Sequence, residues 1–351
     1  MTTYAQTVNG PVPAETLGAV LMHEHILCDL RAPATRASNS GAPITIENRF
    51  AVDYFQNRNP RNTVLDEDAI AIRELERFGA SGGGAIVELT VGGLDPQPQR
   101  LAAIAEAVGV AVIIGAGYYV ADYMPAEIRE ADVDTLADVM RTALDIGAHG
   151  TDVRAGIIGE LGCSWPLADV ERRQLTAAAI VQAETGAAIT VHPGRHPDAP
   201  LEIADILVAA GADPSRCVIG HMDRTIFDRP RLLTLLNRGF VLEWDFFGIE
   251  TSQYWMADED LDLPTDYMRL DLIRDLMATG FRDQITVSHD ICTRTRLASY
   301  GGHGYTHLLD HIVPMMRRRG WRDADVHRLL VETPARLLCY LGAPPNTSET
   351  R

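Results

Sequence analysis

No apolar run in this 351-residue chain approaches the roughly 20 residues that a membrane-spanning helix needs. The opening stretch, "MTTYAQTVNGPVPAE", lacks the basic start and apolar core of a secretory signal. Cysteine is scarce. Cys28, Cys163, Cys217, Cys292 and Cys339 are odd in number, scattered and never in a C-x-x-C pair, which argues against a disulfide framework and a zinc ribbon alike. Basic residues are outnumbered, 31 against 48 acidic, and the net charge of -17 repels nucleic acid and acidic membranes. These absences predict a cytoplasmic protein with reduced thiols that works on a small molecule.

What is present is a core and a repeating order. With 46% hydrophobic residues the chain can build one large α/β domain. Eight apolar strand signals alternate with amphipathic helices closed by glycine: "GAVLMHEH", "GAIVELTV", "AVIIGAGYY", "RAGIIGELG", "AAITVHP", "RCVIGHMD", "FVLEWDFFG" and "QITVSHD". Eight βα units predict a closed (β/α)₈ barrel. An open doubly wound sheet would want a Gly-rich phosphate loop after the first strand, where "MHEHILCDL" stands instead. The expected layout is a single domain: a short N-terminal segment 1–16, the barrel at about 17–320, and C-terminal helices at about 321–342 from "DADVHRLLVE" and "PARLLCYL". Residues 31–62 lack clear periodicity and follow the first strand, so they are expected over the barrel mouth as a lid or a subunit contact.

Barrel enzymes carry their chemistry at the C-terminal strand ends. Here those ends hold His23 and His25, Glu160, His192, His221 and Asp290, on the first, fourth, fifth, sixth and eighth strands. Side chains two apart on a strand share a face, so His23 and His25 can point inward together while Glu24 points to the helices. Four neutral imidazoles and two carboxylates suit Zn²⁺, Mn²⁺, Fe²⁺ or Co²⁺, and six ligands exceed what one tetrahedral zinc uses. Two divalent ions are therefore expected, zinc first, with the fourth-strand carboxylate bridging them and a hydroxide between.

The motifs "MHEH", "AGIIGELG", "ITVHPGR", "VIGHMDRT", "LEWDFFGIE" and "SHDICTRTRLASYGGHGYTH", in that order over essentially the whole chain, resemble the phosphotriesterase family of the amidohydrolase superfamily, in its phosphotriesterase-related branch. The resemblance implies a distorted barrel with a binuclear centre. In it His23, His25 and Asp290 hold the more buried ion, His192 and His221 the more exposed one, and Glu160 bridges them. It also implies that dimers are common. One departure matters: the organophosphate-degrading members bridge with a carboxylated lysine, and here Glu160 takes that place. The expected activity is hydrolysis of a small carboxylic ester, lactone or N-acyl amide carrying an anionic group, attacked by the bridging hydroxide, with Asp290 taking the proton. Rival readings are a phosphotriesterase, a mononuclear deaminase and a non-catalytic metal-binding protein.

Other residues compete for roles. Arg195, Arg224, Arg294 and Arg296 follow metal-bearing strands, and a guanidinium fork suits a substrate anion, Arg195 and Arg224 being the docking candidates. Solvated charge is the ordinary alternative. Tyr118 and Tyr119 end the third strand and are candidates for a pocket wall or a carbonyl-polarising hydroxyl, Tyr118 being the one assigned to substrate binding, with an interface or core role as the alternative. His303, His307 and His311 recur at helical spacing, but the glycines around His303 and the missing H-E-x-x-H carboxylate disfavour a second metal site. Alternation turns His289 to the helix layer if Asp290 faces inward.

Overall fold

The computed structural model describes residues 2–33, 36, 41–55, 59–251, 254 and 261–342. All eight expected strands form: Ala19–Glu24, Gly83–Glu88, Ala111–Ala116, Ile157–Gly162, Ile189–His192, Cys217–Ile219, Val241–Trp244 and Ile285–Val287. They lie in sequence order in one eight-stranded sheet, and each pairs with the next in parallel. The first and last strands meet through side-chain and loop contacts. His23 N donates to Ser288 Oγ at 3.0 Å and Asp290 N donates to His23 O at 3.1 Å. The result is a nearly closed (β/α)₈ barrel whose strands share one C-terminal rim.

Helix formation follows the apolar spacing. In Asp68–Ala80 the residues Ala71, Leu75 and Phe78 form one buried stripe at intervals of three and four, while Asp68 complements the positive N-terminal end. The long helix Asp169–Thr185 stops at Gly186, whose φ of +77° is a left-handed cap that glycine adopts without a Cβ clash. Stripes such as Leu75 and Phe78 pack with the outward strand residues Leu21, Ile86 and Val112. A separate cluster inside the barrel holds Val20, Met22, Val87, Ile113, Ala188, Val218 and Val241.

The chain ends differ from expectation. Tyr4–Thr7 and Gly10–Pro13 form an antiparallel hairpin, and Cys339–Leu341, within the run expected to be helical, joins it as a third strand. The helix Thr333–Leu338 stops where backbone pairing with Tyr4 and Ala5 competes successfully with the helical period. Residues 31–62 lie partly outside the described residues. Of those described, Arg31, Ala32 and Pro60 border the cavity over the rim, and Arg49 bonds the carbonyls of Thr295 and Tyr300 at 2.8 and 2.9 Å. The five cysteines are free, and no helix of the described residues is long and apolar enough to cross a membrane.

One buried ion-pair network braces the rim. Arg269 is 1% exposed and binds Asp223, Asp266 (2.7 Å) and the carbonyl of Ile249 (2.8 Å). Asp223 in turn accepts from the backbone of Asp245 and Phe246 at 2.8 and 3.2 Å. Arg269→Ala leaves buried Asp223 without its cation and Asp266 with His307 alone, so unfolding free energy should fall by about 3–5 kcal/mol. Denaturant titration checks this, and an unchanged midpoint would show the network contributes nothing.

Candidate metal centre

Irregular backbone brings the strand-end residues together. Val20 and Met22 face the barrel interior and Leu21 faces the helices, yet His23 also turns inward, because the pairing register shifts between Leu21 and Glu24. A second shift, between Ile158 and Leu161 at Gly159, does the same for Glu160. His221 and Asp290 sit at φ of +57° and +50°, a left-handed conformation that non-glycine residues adopt at a cost of about 1–2 kcal/mol. Glu24, by contrast, faces away and accepts from His289, Ile291 and Ser288 at 2.7–2.9 Å.

Glu160 stands at the centre of four imidazoles. Its Oε2 lies 3.4 Å from His23 Nε2, 3.1 Å from His192 Nδ1 and 3.7 Å from His221 Nε2, and its Oε1 lies 3.5 Å from His25 Nε2. Asp290 Oδ1 is 3.4 Å from His25 Nε2 and 3.9 Å from His23 Nε2. All six side chains are buried. Burial favours the neutral acid, yet at Glu160 it is outweighed by His23 and His192, and the carboxyl is held well below its usual range. At Asp290 burial is outweighed by contact with His25 and by the charges of His23 and His221, again lowering the carboxyl.

The hydrogen bonds behind the rings decide which nitrogens face the centre. Thr90 Oγ1 donates to Glu88 at 2.6 Å and so must accept from His25 Nδ1 at 2.9 Å, which leaves the Nε2 lone pair of His25 aimed at Asp290 and Glu160. Asp245 Oδ1 accepts from His221 Nδ1 at 2.9 Å and Oδ2 accepts from His221 N at 2.9 Å. Its Oδ2 also lies 3.2 Å from His23 Nδ1. Partners of this kind fix the tautomer of a metal-ligating histidine. Glu88, Thr90 and Asp245 were not singled out in the sequence. The available signal was the pair Glu243 and Asp245 two apart in an apolar strand, which places both inside the barrel.

The donor set fits cations. His23 is fully buried and neither ring nitrogen has a hydrogen bond of acceptable geometry. His221 Nε2 and His192 Nδ1 face each other at 2.7 Å, and burial together with the charge of His221 pushes His192 down to about 3. His23, His25 and Asp290 form one group able to hold a metal ion, Glu160, His192 and His221 a second, and His23, His221 and Asp245 a third. Asp245 already accepts two hydrogen bonds from His221, so the third reads as support behind the first two. The chain contains no lysine, its 31 basic residues all being arginine, so no carboxylated lysine can substitute for Glu160.

A cavity of about 250 Å³ opens above the cluster, lined by five of the six residues, with His23 beneath. Arg195, Arg224 and Arg296 line it too. Arg224 is 3% exposed; its Nη2 lies 3.2 Å from His192 Nε2 and donates to Pro193 O at 3.1 Å, and its Nη1 donates to Thr225 Oγ1 at 3.1 Å. Arg195 is exposed at the rim, 5.9 Å from the Tyr254 ring centre. Arg294 lies elsewhere and pairs with Asp66, Glu67 and the Tyr300 hydroxyl. Tyr119, not Tyr118, faces the cavity, its hydroxyl 3.4 Å from His192 Nε2. The strand ends at Ala116, Gly117 follows at a φ of +123°, and the Tyr118 ring packs over Gly92 instead. His303, His307 and His311 lie in a row with tilted rings and centres 5.3 Å apart, His307 bonds Asp266 at 2.7 Å, and no metal-holding group forms around them among the described residues.

A barrel with histidines and carboxylates gathered at its C-terminal rim defines a hydrolase of the metal-centre type, built for small-molecule substrates. More narrowly, the chain belongs to the phosphotriesterase family, whose model matches residues 3–338. Members of that family use a divalent metal centre. The chain is similar to the N-acetyltaurine hydrolase of Xenopus tropicalis, 42% identical over 341 residues, which cover 95% of this chain and 97% of that one. Among solved structures it resembles a resiniferatoxin-binding protein from Rhodobacter sphaeroides (TM-score 0.89, 34% identity, 97% and 96% of the two chains covered). It also resembles a mutant PTE-like lactonase from Deinococcus radiodurans (TM-score 0.76, 28% identity, 95% and 99% covered).

Proposed function

We propose that this protein is an amidase with two metal ions that removes a short acyl group from an amine bearing a sulfonate or carboxylate, N-acetyltaurine being the type of substrate. His23, His25 and Asp290 would hold one ion, His192 and His221 the other, and Glu160 would lie between them, zinc being the metal we favour. Bound there, two divalent ions supply Lewis-acid polarisation of the amide carbonyl and lower the pKa of water to about 7. Asp290, ionised in the cavity wall, accepts the proton released on attack and returns it to the leaving nitrogen. Asp245 and Thr90 hold the rings of His221 and His25 in the ligating tautomer.

The observation that carries the substrate class is Arg224. It is buried in the cavity beside His192 and makes no ion pair among the described residues, and its Nε has no hydrogen-bond partner. A cation left in that state is completed by an anion on the substrate. The name of the relatives, N-acetyltaurine hydrolase, supports the same class, since taurine carries a sulfonate beyond the amide nitrogen.

The test is a pair of acetamides, one with a sulfonate on the amine side and one neutral, assayed before and after chelation. Chelation should abolish turnover, and zinc, manganese or cobalt should restore it. With metal restored, the anionic member should be favoured by about 10- to 160-fold in kcat/KM, the equivalent of one charge-assisted hydrogen bond worth about 1.5–3 kcal/mol. Preference for the neutral member, or turnover that survives removal of the metal, would overturn this reading.

A further inference from the structure

We infer that Arg224 sets the length of the substrate, selecting amines whose anionic group lies no more than two carbon atoms from the amide nitrogen. The inference rests on the amidase reading above and adds the spacing. Its basis is a single ring. His192 turns Nδ1 toward Glu160 (3.1 Å) and His221 (2.7 Å), the side on which ions held by these residues would polarise a scissile carbonyl, and turns Nε2 toward Arg224 Nη2 at 3.2 Å. Carbonyl site and guanidinium are therefore separated by the width of one imidazole and one polar contact.

Arg224 has no freedom to lengthen that reach. It is buried in the short helical turn Met222–Thr225, and both terminal nitrogens are tied, to Pro193 O and Thr225 Oγ1. Arg224 lines the cavity with its second Nη1–H and its buried Nε–H both without a partner. An amine extended like glycine or taurine brings its anion to this edge. Each further methylene carries the anion past Arg224 into the rest of the cavity, which Arg195 also lines. A long substrate thus leaves a buried donor unpaired, and sites built to hydrogen-bond a substrate group discriminate most strongly in that situation.

The experiment uses the metal-loaded protein with a series of N-acetyl aminoalkanesulfonates carrying one to four methylenes between nitrogen and sulfur. A parallel series of non-hydrolysable methanesulfonyl amides gives dissociation constants by calorimetry. Both kcat/KM and affinity should be highest at one or two methylenes and fall by about 10- to 100-fold at four. Arg224→Gln should flatten both series by weakening the short members alone. If that variant does not fold, Arg224→Lys, which keeps the charge and loses the fork, should flatten them in part. A flat wild-type series, a maximum at three or four methylenes, or a spacer profile unchanged by substitution would overturn the inference. If no acetamide turns over, the amidase reading falls by itself, and the calorimetric series still decides the spacing: a short-spacer maximum upholds it and a flat series overturns it.

Discussion

Glu160→Gln is expected to reduce bound metal below two ions per chain and lower turnover by at least about 10³-fold, the several kcal/mol that Lewis-acid stabilisation supplies. Glutamine keeps the shape and one oxygen donor but removes the negative charge that faces four imidazoles at 3.1–3.7 Å. No other carboxylate approaches all four rings among the described residues, and with no lysine in the chain no carboxylated side chain can compensate. The Gln side chain can still accept from His192, so the metal-free variant should melt near the metal-free wild type. Elemental analysis with a thermal melt therefore separates lost binding from lost folding. Full metal occupancy together with normal turnover would mean that Glu160 does not lie between the ions.

Asp290→Asn tests proton transfer. Asparagine preserves one oxygen toward His25 and His23 and cannot accept a proton at neutral pH, so kcat should fall by a factor on the order of 10²–10⁴ while most of the metal is retained. The wild-type carboxyl is held below its usual range because His25, His23 and His221 outweigh burial, which keeps it ionised through neutrality. The deficit of the Asn variant should accordingly stay constant from about pH 6 to 8, the unperturbed carboxylate pKa lying near 4. A variant that keeps its rate would remove Asp290 from proton transfer and leave it only as a neighbour of the two histidines. The φ of +50° at this residue offers a second control: Asn is tolerated there better than most residues, so the substitution adds little backbone strain.

The sequence by itself determined the barrel and the identity of the clustered side chains. Eight apolar runs separated by amphipathic helices allow few other packings, and strand ends at which histidine and carboxylate replace core residues mark one rim. The absence of lysine was equally plain from composition. Only the tertiary structure decided how those side chains converge. Strict alternation would place Met22 and Glu24 on one face and His23 on the other; the register shift after Leu21 cancels that, as the shift at Gly159 does for Glu160. Such irregularities depend on pairing between strands far apart in the chain, and no local period encodes them. For the same reason Arg224 and Arg294, alike in sequence as loop arginines, end in opposite environments. One is buried beside His192 without an ion pair among the described residues, and the other is neutralised by Asp66 and Glu67. A charge is defined by what surrounds it, and those neighbours arrive from elements more than 200 residues away in the case of Arg294 and from an adjacent strand in the case of Arg224. Asp245 and Thr90 belong to this second category, since a side chain that orients a histidine on another strand can be recognised only once the two are brought together.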